Sequence, residues 1–148
     1  MLLAAALAAA VSPCLFRPEL KVVPIVSQIR IARRVSAYQA SARITFAVRT
    51  VKKAQLANDP GLQAHVRGYY AIVQRLAQAS TVQAIGTTMT QARAGLYKTI
   101  AALAHDINVE YLRQQRAYDD VTENGRSQDQ GPAYGFPGGP NATVYCAQ

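Results

Sequence analysis

Seven cations and no carboxylate fall within RIARRVSAYQASARITFAVRTVKK: Arg30, Arg33, Arg34, Arg43, Arg49, Lys52 and Lys53. Guanidinium and ammonium groups at that density bind phosphates through charge-assisted hydrogen bonds and counterion release, without reading base sequence. Arg67, Arg75, Arg93 and Lys98 extend the excess. From Leu20 to His105 twelve cations stand against Asp59 alone, a local charge of +11. A solvated basic helix would explain the charge but not the missing Glu, which exposed helices intersperse for pairing at i,i+4. If all seven cations of the first stretch met duplex phosphates, log affinity would fall with log salt at a slope of about −6. Tyr38 and Phe46 are the only aromatics in the stretch, and both share its apolar face. That favours the backbone of double-stranded DNA over stacking on single strands. No zinc-finger, helix-turn-helix or RNA-recognition signature supports sequence-specific readout.

Other chemistry finds little material. His65 and His105 each lack a Cys, His or carboxylate constellation; Asp106 adjoins His105 and therefore points elsewhere on a helix. There is no Gly-rich phosphate loop and no G-x-S-x-G. Neither catalysis nor a cofactor is expected. Cys14 and Cys146 lie near opposite ends of the chain, a spacing unlike that of metal ligands or of a redox pair, so no metal site is expected. Joined in a disulfide they would tie the termini together and suit an oxidising compartment or a hyperthermophile interior. Two unbonded, small apolar residues account for them equally well. Asn141-Ala142-Thr143 matches the glycosylation sequon, a motif short enough to occur by chance.

The elements that would position the cations are read from apolar spacing. Residues 1–24 form an arm and connector. MLLAAALAAAVSPCLF lacks the basic flank and cleavage site of a secretory signal and falls short of the roughly twenty residues that span a bilayer. It is expected to form an Ala/Leu helix that buries itself against a neighbouring subunit, with lipid contact through residues 1–16, or a retained signal, as alternatives. Pro18 and Pro24 bracket an extended connector. From Ile25, the positions Ile31, Val35, Tyr38, Ala42 and Phe46 predict one face of a long helix. ARITFAVRTV is rich in β-branched residues and alternates like a strand, but its Ala-rich, Gly-free surroundings favour helix.

Asp59 and Pro60 are an N-cap and first helical residue, and Leu62, Val66, Tyr69, Tyr70, Val73 and Leu76 give that helix its apolar face. Ser80-Thr81 is read as the next cap, before nine positions spaced by three or four from Val82 to Tyr111. Gly86 and Gly95 within that run suggest the close approach of another backbone. Asn124-Gly125 is a left-handed helix stop. The signs reverse from Asp106 to Asp129, a segment of charge −3. Residues 125–148 hold five Gly and three Pro, and such a tail is expected to lie extended on another molecule. The whole is an all-α fold: a helix-turn-helix unit over 25–124 between an apolar arm and an extended tail.

A basic helix at RIARRVSAYQASARITFAVRTVKK, the ANDPG break and a second helix at TVQAIGTTMTQARAGLYKTIAALAHDI resemble, as a pattern, the major capsid proteins of filamentous archaeal viruses, rod-shaped or tristromavirus-like. The resemblance implies a virion protein whose paired subunits, copies of itself or a paralogous capsid subunit, wrap double-stranded DNA in a helical nucleocapsid. By position it implies phosphate contacts for Arg30 to Lys53 and, less directly, for Arg67, Arg75, Arg93 and Lys98. The apolar arm and the cysteines depart from that pattern. An Ala/Gln-rich run, STVQAIGTTMTQARAGL, after an apolar N-terminus is also similar to the internal core or ejection proteins of short-tailed phages. A peripheral subunit of a large assembly is a third reading.

Overall fold

A computed structural model describes residues 16–144 and 146 and shows an α+β fold. Two 15-residue strands, β1 (Glu19–Arg33) and β2 (Tyr38–Lys52), form an antiparallel hairpin closed by Arg34 to Ala37, where the Arg34 N–H donates to the Ala37 carbonyl at 2.7 Å. At ~3.3 Å per residue the hairpin is roughly 50 Å long. Helix α1 (Pro60–Leu76) follows, then β3 (Ser80–Gly86), which pairs antiparallel with β2 to give the order β1-β2-β3. Helix α2 (Met89–Thr122) is 34 residues, a length of about 50 Å that matches the hairpin. Two short 3-10 helices, Glu123–Gly125 and Gln128–Tyr134, complete the chain.

The expected all-α, helix-turn-helix fold is therefore corrected. Residues 25–53 are strand, hairpin loop and strand rather than one helix, and Ser80 opens a strand, not a helix. The reason lies in the arithmetic of spacing. Tyr38, Ala42 and Phe46 are four apart, and four is an even number, so a strand with period two puts them on one face just as a helix nearly does. Val22, Ala40, Ala42 and Ile44 are buried while Lys21, Arg43 and Thr45 between them are exposed, the alternation of a half-buried sheet. β-branched residues at Val22, Val23, Val26, Ile44, Thr45, Val48 and Thr50 suit that pleated surface. Pro24 is tolerated because β1 is an edge strand.

The capping signals explain the helices. The Asp59 side chain accepts from the N–H groups of Gly61 and Leu62, with Pro60 at the first position, as its sequence suggested. Helix α2 starts later than expected, at Thr88, whose hydroxyl accepts from the Gln91 N–H at 3.1 Å. TMTQ there is a Thr-x-x-Gln capping pattern that the longer apolar run concealed. From Ala92 onward the expected stripe holds: Ala92, Leu96 and Ile100 pack on Ala40, Ala42, Ile44 and Val82. A second cluster joins α1 to α2 through Tyr69, Ile72, Val73, Tyr111 and Tyr118, with Leu20 and Val22 from β1. A close approach does occur at Gly86, though at the end of a strand: a Cβ there would sit 2.4 Å from the Ala92 nitrogen.

The tail packs on its own chain. Phe136 lies on the α1–α2 cluster, and Cys146 is buried with Phe16, Leu62 and Val66. The second Asp59 oxygen accepts from the Thr143 N–H (2.8 Å), the Thr143 hydroxyl (2.7 Å) and the Val144 N–H (2.7 Å), joining tail to helix start. Five donors on one carboxylate hold its pKa well below the usual range, the Thr143 hydroxyl being the largest cause. Cys146 is disulfide-bonded. The chain has one other cysteine, Cys14, which lies outside the described residues together with most of the apolar arm.

Candidate polyanion-binding face

Helix α2 covers one face of the sheet, and among the described residues nothing covers the other. Strand parity decides which cations reach that open face. Lys21 and Arg49 are direct cross-strand partners with its parity, near the β1 edge, where both also border a cleft shared with Ala101, Ala104, His105 and Asn108 of α2. Two residues further along β1, Val23 stands opposite Ala47, then Ile25 opposite Thr45 and Ser27 opposite Arg43. Beyond Ser27 the register shifts by one residue, with Gln28 in a left-handed conformation (φ 53°). This bulge keeps Arg30, opposite Ser41, on the open face beside Arg43. In the unshifted register Arg30 would stand opposite buried Ala40 and turn inward.

A shallow concavity of about 190 Å³ forms at the bulge, lined by Gln28, Arg30, Ser41, Arg43 and Thr81. Two guanidinium groups and two hydroxyls there are all donors suited to an oxyanion. Nearer the hairpin loop, Arg34 folds back onto the same face. Its Nε donates to Gln39 Oε1 at 2.8 Å, and Gln39 Nε2 donates in turn to Gln83 Oε1 on β3 at 2.7 Å. The open face thus carries Lys21, Arg30, Arg34, Arg43 and Arg49, and no carboxylate lies in β1 beyond Glu19, in β2 or in β3. Lys21 and Arg49 side by side repel each other, a cost to the fold that an anion lying across them would relieve.

The remaining cations of the sequence reading are scattered. Arg33 ends β1 opposite Tyr38, with the parity of the helix-covered face, and Lys53 is exposed just past β2. Lys52 pairs with Glu19 across the base of the hairpin and lines a separate pocket beside α2. Arg67 and Arg75 stand on α1, where Arg75 Nη2 donates to Gln114 Oε1 at 2.8 Å. Arg93 and Lys98 are exposed on α2, separated from the open face by the sheet itself. Lys21, which the sequence reading left out of the site, belongs to it. The alternation Leu20-Lys21-Val22 was the signal that could have placed it.

His65 is fully buried in a structural network. Gln128 Nε2 donates to the Pro137 carbonyl (3.0 Å), which fixes its amide orientation, so Gln128 Oε1 accepts from His65 Nδ1 at 2.9 Å. His65 Nε2 lies 2.9 Å from the Tyr69 hydroxyl and 3.1 Å from Asp119 Oδ1, and Asp119 also takes bonds from Tyr69 and Arg17. Burial, reinforced by the Asp119 charge, pushes the Tyr69 hydroxyl far above its ordinary pKa. The His65 ring stacks on Tyr118, with centroids 4.5 Å apart. Its position joins α1, α2 and the tail. Among the described residues no group of three or more His, Cys, Asp or Glu could hold a metal ion, and no helix is long and apolar enough to cross a membrane.

No protein family matches the chain, and no curated protein or solved structure is similar to it.

Proposed function

We propose that this protein is a structural, sequence-independent binder of duplex nucleic acid that lies with the open face of its sheet against the phosphate backbone. The observation that carries the reading is the open face, where the like-charged pair Lys21 and Arg49 and the Arg30–Arg43 concavity lie along one hairpin whose single acid is Glu19 at its base. The helix-turn-helix fold implied by the resemblance to filamentous-virus capsid proteins is absent, so only the chemistry of that reading is retained: backbone contact without base readout, in an assembly that coats or packages DNA. A disulfide at Cys146 fits a protein working outside a reducing cytosol, virions included.

Five cations on the face set the expected salt dependence, a log–log slope of about −4.5 on duplex DNA, against the −6 expected from seven. The test compares two triple variants. Replacing Arg30, Arg43 and Arg49 by Gln should weaken duplex binding by tenfold or more at moderate salt and shallow the slope by about 2.7. Replacing Arg67, Arg93 and Lys98 by Gln removes the same charge elsewhere and should change the slope by less than one such contact. Equal losses from both triples would reduce the binding to net charge and refute the assigned face. Binding of both wild type and variants to anionic vesicles alone, with none to duplex, would refute the ligand.

A further inference from the structure

At the base of the hairpin, on the side facing α2, lies a pocket of about 330 Å³ that does not share the open face of the sheet. Pro18, Leu20 and Leu112 make its walls largely apolar. Its floor is α2, through Tyr111 and Gln115, which are one turn apart. Both are nearly inaccessible, at 2% and 5% exposure; the buried Tyr111 hydroxyl has no hydrogen-bond partner, and the Gln115 carboxamide, which makes no hydrogen bond among the described residues, keeps its remaining exposure toward the pocket. A buried hydroxyl without a partner, like that of Tyr111, is rare in folded proteins and asks for a water or a ligand.

The charged residues of the pocket narrow the choice. Arg17 is committed to Asp119. Lys52 and Glu19 both line the pocket, and though they are backbone partners across the hairpin they form no salt bridge with each other or with any described residue. One unpaired cation, one unpaired anion, a carboxamide open to the pocket and an apolar wall together match a small zwitterion carrying an apolar side chain.

We propose that this pocket binds an apolar α-amino acid, its carboxylate toward Lys52, its ammonium toward Glu19, and its side chain against Pro18, Leu20 and Leu112. The carboxamide of Gln115, which both donates and accepts, bonds either end of that head group. A ligand in this position bridges the hairpin base to α2 next to the Arg17–Asp119 pair, so its occupancy strengthens the junction between the sheet and the α1–α2 core.

The experiment is a titration of the full-length, disulfide-intact protein with L-phenylalanine and L-leucine, followed by ¹H–¹⁵N chemical shifts of residues 17–20 and 111–115. Saturable shifts are expected, with an affinity near ~1 mM for a handful of exposed polar contacts. N-acetyl-L-phenylalanine, which lacks the ammonium, and L-phenylalaninamide, which lacks the carboxylate, should each bind about tenfold more weakly. Glu19→Gln should abolish the first difference alone, and Lys52→Met the second alone, a crossed pattern that a general loss of structure does not produce. Absence of saturable shifts at these residues up to about ten times that concentration would overturn the proposal and leave water as the partner of Gln115. Equal binding of all three phenylalanine forms would also overturn it, by reducing the pocket to an apolar crevice.

Discussion

Asp59 shows how much one side chain can organise. One oxygen caps α1 and the other collects three donors from the tail, so the carboxylate joins two segments 84 residues apart. The sign of its pH effect follows from the lowered pKa. The charged form is the one the folded state holds, so its contribution is fully present above the ordinary value of 3.8 and is lost as pH falls below it toward the depressed folded value. Asp59→Asn keeps one acceptor for the helix cap but presents an NH₂ to donors at Thr143 and Val144. The variant should melt lower than wild type at pH 7, and the gap should close progressively as pH falls below 3.8 in a series of thermal melts. A gap that stayed constant down the series would assign the loss to shape instead of charge. Gly68 is a second such residue: a Cβ there would meet the Tyr118 hydroxyl at 2.0 Å, and Tyr118 cannot swing away because it stacks on His65 and bonds the His65 carbonyl. Gly68→Ala should cost about 1–3 kcal/mol in chemical denaturation, an overpacking penalty where an exposed helical Gly→Ala would stabilise.

Elements were legible in the sequence where their signals were not shared with a competitor. Asp59-Pro60 has one structural meaning, and α1 starts there. The apolar stripe of α2 holds from Ala92 through Ile100 to Tyr111 because spacings of three mixed with four exclude a strand. Within β2 the spacings were four, which both periods accept, while the one spacing of three, Val35 to Tyr38, crossed the hairpin loop and mimicked a helix; the β-branched density of ARITFAVRTV carried the deciding information. Val82 fell in phase with the α2 stripe by coincidence, which hid β3. What spacing could never supply is the closure of the free edge of β1. There the Asn108 carboxamide stands in for a missing strand: its Oδ1 accepts from the Val22 N–H at 2.8 Å and its Nδ2 donates to the Val22 carbonyl at 3.1 Å. Asn108→Ala leaves both groups buried and unpaired at a residue only 1% exposed, and should cost about 1–3 kcal/mol in denaturant unfolding. It also reopens an edge that templates pairing, so the variant should form dimers on size exclusion at concentrations where wild type elutes as the smaller species.

At the scale of the molecule the charge is sorted by the fold. The basic excess was plain in the sequence, but its division between two sides was not, because that depends on strand parity and on a one-residue bulge at Gln28 that composition does not reveal. Once the strands are placed, five cations share the open face, while Arg93 and Lys98 stand behind the sheet on α2 and the acids Asp120, Glu123 and Asp129 gather around the far end of that helix. A polyanion should therefore meet this protein in one orientation, and the chain's own lysines can report it. Lys21 lies on the open face, Lys98 on the exposed side of α2, and Lys52 in the pocket at the hairpin base. Brief acetylation in the presence of duplex DNA, read by mass spectrometry, should protect Lys21 several-fold while Lys52 and Lys98 react as they do in free protein. Uniform protection of all three would mean that the DNA condenses around the protein without a preferred face, and the parity of β1 would then have no bearing on binding.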